Sequence, residues 1–239
     1  MAGLAAFVAF IISTIAGGGG ALILVPTATA LLGPTAAPPV VTVGNMLSRP
    51  VRLILFWKHT DWEIVRWYLP FALLGAGLGA YVFTELQSST FQVVLGIILM
   101  SMVLQYRFGK KARTFRVRLW YFAPLGFGVA LLSALLGAAG PLLNPFFLNY
   151  GTLKERMIAT KAVNSFFVDF IKIGTYASFG AMTPELWYYG LAVGIGGGAG
   201  TWLGKRFLAH LSDRRFRQLV VWMMFAAGVV LLLKGLGLW

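Results

Sequence analysis

Two stretches of this chain carry polar residues at spacings that place them on one face of a helix. Asn45, Arg49 and Arg52 fall at i, i+4 and i+7 with Ser48 beside them; Lys161, Ser165, Asp169 and Lys172 fall at i, i+4, i+8 and i+11 with Thr160 and Asn164 adjacent. Each set lies inside an otherwise apolar run, where ionisable groups are rare and usually functional. Asp169 and Lys172 stand at i, i+3 and are expected to neutralise each other. Arg49, Arg52 and Lys161 then remain as surplus positive charge, and the chemistry such a surplus serves is the binding of an anion. The competing reading is that long stems carry these charges to a membrane surface, which is easier for Arg52 and Lys161 than for Arg49.

Backbone chemistry supplies a second candidate. Gly17, Gly18, Gly19 and Gly20 interrupt one apolar run, and Gly137-Ala138-Ala139-Gly140-Pro141 interrupts another about 120 residues later. An irregular break inside a membrane must be buried in protein or line a polar cavity, because unpartnered N–H and C=O groups are costly in lipid. The residues after each break can start short helices whose N-terminal N–H groups attract anions without any charged side chain. Pro141 suits a first helical position, where its missing N–H costs nothing. Asn144 and Asn149 follow the second break, and Ser13 and Thr14 precede the first. Such groups can bond to substrate oxygens or to carbonyls that the break frees. The glycines at 75, 77 and 79 and from 194 to 200 read instead as places where helices cross closely.

The candidate anion-binding set is therefore Gly17, Gly18, Gly19, Gly20, Asn45, Arg49, Gly137, Gly140, Asn144, Lys161 and Asn164. No catalytic residue, metal ligand or cofactor site is expected. The sequence has no HExxH, no P-loop, no paired catalytic carboxylates and no cysteine, and its two histidines, His59 and His210, stand at the ends of apolar runs. The expectation is a protein that is not an enzyme.

The elements that must hold these residues follow from composition. Hydrophobic residues make up 59% of the chain and charged residues 11%, and the mean hydropathy is +0.80. A soluble domain of this make-up would lack polar surface to cover itself, so the chain reads as an all-α integral membrane protein. Its apolar runs of roughly 18 to 22 residues match a hydrocarbon core of roughly 30 Å. The net charge of +13 reads as membrane topology and not as a nucleic-acid surface. Met1 to Ala16 has no basic n-region and reads as a retained membrane segment. Tryptophans and tyrosines near the span ends form an interfacial belt.

Split elements are expected at about 2 to 32 and 120 to 150, and spans at about 38 to 57, 67 to 84, 89 to 106, 157 to 179, 185 to 204 and 217 to 236. The halves correspond: Ser13 to Gly20 with Ser133 to Gly140, Asn45 with Asn164, Gly75 to Ala80 with Gly194 to Ala199, and Leu86 to Phe91 with Leu211 to Phe216. If each split element is a hairpin, the basic loops fall on one face, and the loops at 33 to 37, 84 to 90 and 180 to 185 hold no Lys or Arg. Single crossings would instead move the basic residues at 154 to 156 and 205 to 217 outside. The expected organisation is a first membrane repeat at 1–106, a basic cytoplasmic linker at 107–118 and a second, inverted repeat at 119–239, each repeat a Gly-broken hairpin plus three transmembrane helices, with both termini outside. Inverted repeats of this kind are transporter architecture.

The opening Gly-rich break followed by Leu24-Val25-Pro26, the basic central loop, and the second half with its Gly-rich span 190 to 204 resemble the TauE/SafE sulfite exporter family, over essentially the whole chain. The resemblance implies movement of sulfite, thiosulfate or an organosulfonate such as sulfoacetate across the bacterial inner membrane. The second break is poorer in glycine than the first, which points to unequal contact of the two halves with substrate. The reading is a secondary transporter of a small sulfur-containing anion working by alternating access. Its partners are that anion and the lipid bilayer, with no nucleic acid, and association with further copies of the chain stays open. The alternatives are a passive anion channel and a non-transporting membrane partner that docks an enzyme complex through residues 107 to 118.

Overall fold

The computed structural model describes residues 2–17, 20–32, 36–85, 115–136 and 139–235. Gly18, Gly19 and Gly137, the span expected at 89 to 106 and the linker up to residue 114 lie outside the described residues. The described elements are helices: α1 (Ala2–Ile15), α2 (Gly20–Leu32), α3 (Ala37–Phe56), α4 (Trp62–Glu85), α5 (Phe122–Leu136), α6 (Asn144–Tyr150), α7 (Lys154–Ser178), α8 (Pro184–Ala209) and α9 (Asp213–Gly235). Short 3-10 turns sit at Trp57–His59, Leu119–Tyr121 and Gly140–Leu143. No strand occurs among the described residues.

Local chemistry sets several helix ends. Pro38 and Pro39 open α3 and Pro184 opens α8, positions where a helix needs no N–H. Asp61 precedes α4, and its Oδ1 accepts the Ile64 amide at 3.4 Å. Gly151 stops α6 in the left-handed conformation at φ 98.

Both split elements fold back as hairpins. In the first, Ala2 at the start of α1 shares a crevice with Thr27, Leu31 and Leu32 near the end of α2. At the bend, Gly17 has φ +66, and a Cβ there would also press on Val220, Met157 and Phe216 at 3.1 to 3.2 Å, so only glycine fits without strain. In the second, the Phe122 ring at the start of α5 stacks edge-on against Phe147 and Tyr150 near the end of α6.

Glycines let the helices meet backbone to backbone. A Cβ at Gly75 or Gly79 of α4 would overlap the carbonyls of Phe127 or Leu131 in α5. On α8, Gly196 and Gly200 sit in the same way against the carbonyls of Gly3 and Phe7 in α1. Gly194 marks a close crossing with α3, at Leu47, whereas Gly77 has Ile171 at an ordinary 3.7 Å.

These contacts also fix directions. Residue numbers rise together where α1 meets α8 (Gly3 with Gly196, Phe7 with Gly200) and where α3 meets α8 (Val43 with Gly190, Leu47 with Gly194). They rise together again where α4 meets α5 (Gly75 with Phe127, Gly79 with Leu131). Along α3 and α7 the numbers run oppositely: Arg49 meets Asp169, whereas Asp61, just past α3, meets Thr160. Asp61 with Thr160 and Gly77 with Ile171 set α4 parallel to α7. So α1, α3 and α8 share one direction, α4, α5 and α7 the other, and the two hairpins point in opposite senses.

Among the described residues no helix is long and apolar enough to cross a membrane. The limbs α1, α2 and α5 have 14, 13 and 15 residues. The longer α7 carries Lys161, Asp169 and Lys172, and α8 is diluted by glycine, so charge and missing side chains lower the hydropathy that length alone would provide. Trp57, Trp62, Trp120, Trp187 and Tyr188 are exposed, as are Leu4, Ile54, Leu74 and Ile195.

Candidate functional site

The two hairpin bends converge on one cavity of about 110 Å³, several times the roughly 10–15 Å³ that a single water needs. Gly17 and Gly20 from the first bend and Ala139, Gly140 and Pro141 from the second form part of its wall. Helix α3 contributes Asn45, Ser48, Arg49 and Arg52, helix α7 contributes Lys161, Ser165, Asp169 and Lys172, and Ser13, Ser133 and Tyr68 complete the polar lining. The lining holds four cationic side chains, Arg49, Arg52, Lys161 and Lys172, against one carboxylate, Asp169. Low-dielectric walls concentrate the field of such an excess in the cavity, where a small anion would feel it most strongly.

Each cation has a partner, although Arg49 and Lys172 share Asp169. Arg49 donates from Nε to Asp169 Oδ2 at 2.8 Å, with Nη2 at 2.5 Å from the same oxygen. Lys172 stands 3.8 Å from Asp169 Oδ1 and donates to the Ser133 carbonyl at 3.3 Å. The expected pairing of Asp169 with Lys172 is thus secondary. The nearer partner is Arg49, which α3 brings in across the helix crossing, so Arg49 is not the unbalanced charge its sequence position suggests. Arg52 donates to Thr14 Oγ1 at 3.0 Å and lies over the Phe10 ring, 5.7 Å from its centre. Thr14 is satisfied in turn by donating to the Phe10 carbonyl at 2.8 Å.

Lys161 bridges the two hairpins. Its Nζ donates to the Gly17 carbonyl at 2.7 Å and to Asn144 Oδ1 at 2.5 Å. Both acceptors are neutral, and they belong to different hairpins.

Of the residues singled out in sequence, Gly17, Gly20, Asn45, Arg49, Gly140 and Lys161 line the cavity together. Asn144 does not line it but reaches it through Lys161, and its buried Nδ2 has no hydrogen-bond partner. Asn164 is buried with neither amide atom bonded and is not part of the lining. Asn149 is committed to structure, donating to the Pro145 carbonyl at 2.8 Å and accepting from the Phe115 amide at 3.3 Å. Gly18, Gly19 and Gly137 lie outside the described residues. Sequence reasoning missed Ser133 and Tyr68 as wall residues. Ser133 carries a legible signal, since it matches Ser13 at the offset that relates Gly20 to Gly140; Tyr68 carries none.

Residues 2–231 match the family described as sulfite exporter TauE/SafE. The chain is also 27% identical over 241 residues to a probable membrane transporter protein, ORF9, of a Sinorhizobium species, covering 95% of this chain and 90% of the relative. No solved structure matches.

Proposed function

The chain belongs to the sulfite exporter TauE/SafE family of membrane transporters, and from that premise we propose that it carries a small sulfur-containing anion, sulfite, thiosulfate or an organosulfonate, across the bacterial inner membrane. The observation that carries this reading is the cavity between the two hairpin bends, where four cations face one carboxylate. A cavity for a cation or a neutral solute would not hold that excess, because each unpaired buried charge is costly without an opposite partner. Hydroxyls from Ser13, Ser48, Ser133 and Ser165 on the same wall suit a small ligand with several oxygens.

The transport mechanism proposed is alternating access between two inverted repeats. The opposed directions of the hairpins and the matched glycine contacts of α4 on α5 and α8 on α1 support it. The basic loops would face the cytoplasm, in line with the bias of Lys and Arg towards that side. The exposed tryptophans and aliphatic side chains suit a lipid-facing surface. The chemistry requires no catalytic group: the protein binds, encloses and releases.

A thermal-shift titration of purified protein tests the substrate class. Sulfite, thiosulfate or sulfoacetate is expected to raise the unfolding temperature in a saturable way, since a ligand that binds only the folded state stabilises it. Equal shifts with chloride at matched ionic strength, or no saturation with any sulfur anion, would remove this reading.

A further inference from the structure

Lys161 fastens the two hairpins to each other. One donor of its ammonium goes to the carbonyl of Gly17 in the first bend and another to the side chain of Asn144, the first residue of α6 after the second bend. The group faces the cavity, so an entering ligand meets it directly. Among the described residues no carboxylate compensates it, because Asp169 is taken up by Arg49 and Lys172. Its described partners are two neutral carbonyl dipoles. An ammonium is a compact charge on a flexible four-carbon stem, and in a low-dielectric cavity its Coulomb attraction to a full negative charge exceeds its attraction to a carbonyl dipole. An oxyanion in the cavity therefore outcompetes both carbonyls for the same nitrogen.

We infer that Lys161 is a latch: without an anion it ties the two hairpin tips together, and a bound anion draws its ammonium away from Gly17 and Asn144 and lets the tips separate. This rests on the anion-transport reading and adds the step that couples binding to movement. It also reassigns Asn144, which competes with the substrate for Lys161 and is not a ligand of it. Lys161 is then the group that touches the anion, and Asn144 is a positioning residue that acts through it.

The competition fixes the sign of a substitution effect. Removing the Asn144 acceptor leaves Lys161 freer to meet the anion, so Asn144→Ala and the nearly isosteric Asn144→Leu should each bind sulfite more tightly, by roughly tenfold for one lost hydrogen bond to a charged group. Asn144→Asp holds the ammonium with a full charge and should bind sulfite more weakly than the unsubstituted protein. Uptake into proteoliposomes should fall in the Ala and Leu variants, because binding no longer releases a fastened tip. Calorimetric titration of the purified full chain with sulfite, and with sulfoacetate as a second probe, decides the matter. Weaker or unchanged binding in whichever of the Ala and Leu variants folds would overturn the latch and make Asn144 a ligand or a bystander. Failure of the unsubstituted protein to bind either probe would overturn the anion reading itself, a separate and recognisable outcome.

Discussion

Arg49 presents Nε and Nη2 to one oxygen of Asp169, while Lys172 stands 3.8 Å from the other oxygen. The carboxylate therefore depends mainly on a residue of another helix. Arg49→Ala leaves Asp169 with Lys172 as its remaining neighbour in a pocket where 4% of its side chain is exposed. Breaking a buried pair from one side costs several kcal/mol when nothing replaces the partner. Lys172 and cavity water reduce that cost, and a loss of about 2 kcal/mol is expected. Adding Asp169→Ala should restore most of it, because the orphaned charge is gone. Chemical unfolding of the two variants in detergent checks this, and a double variant no more stable than the single would show that the pair does not govern stability. Sequence spacing revealed the excess of positive charge and the ion pair of Asp169 with Lys172, but not the nearer partner, Arg49. The i, i+3 rule sees along one helix, and the pair with Arg49 is made across a crossing between residues 120 positions apart.

At the scale of the helices, glycine decides how near the backbones come. Gly79 on α4 and Gly200 on α8 each face a main-chain carbonyl of the neighbouring helix, so an added methyl meets atoms that cannot rotate away. Gly79→Ala and Gly200→Ala are each expected to cost about 1–3 kcal/mol, as overpacking does elsewhere. Gly128 on α5 has nothing within 4 Å of a would-be Cβ. There alanine should be neutral or stabilising by up to about 1 kcal/mol through better helix propensity. Thermal unfolding of the three variants side by side tests the claim, which fails if Gly79→Ala behaves like Gly128→Ala. The sequence made the small-residue faces legible, along with most helix boundaries to within a few residues. It did not reveal which glycines touch which helix: α8 offers glycines on several faces, Gly194 to α3 and Gly196 to α1, and only the packed assembly distinguishes them.

For the molecule as a whole, the contact between Arg49 and Asp169 has a geometric meaning under the proposed inverted repeat. The two residues are 120 positions apart, and the helices that carry them run in opposite directions. A two-fold axis relating the halves would pass through this contact. Moving outward, the two helices stay antiparallel: Asp61 lies twelve residues after Arg49 and meets Arg156 and Thr160, which flank the position twelve residues before Asp169. The flanking cations obey the two-fold relation. Arg52 reaches Thr14 just before the first bend, and Lys172 reaches Ser133 shortly before the second. Exchanging the pair should therefore place each residue in surroundings equivalent to those it left. In Arg49→Asp alone, two carboxylates face each other and sulfite binding should fall by more than tenfold, since like charges in one pocket repel and cancel the surplus that attracts the anion. In the double exchange, Arg49→Asp with Asp169→Arg, the new carboxylate at position 49 has Arg52 at i, i+3, as Asp169 has Lys172, and the net charge of the cavity is unchanged. Binding and folding should return to within a few-fold of the starting protein. A double variant as impaired as the single would mean that the two sides of the contact are not equivalent, and the two-fold relation would have to be abandoned even though both hairpins reach the same cavity.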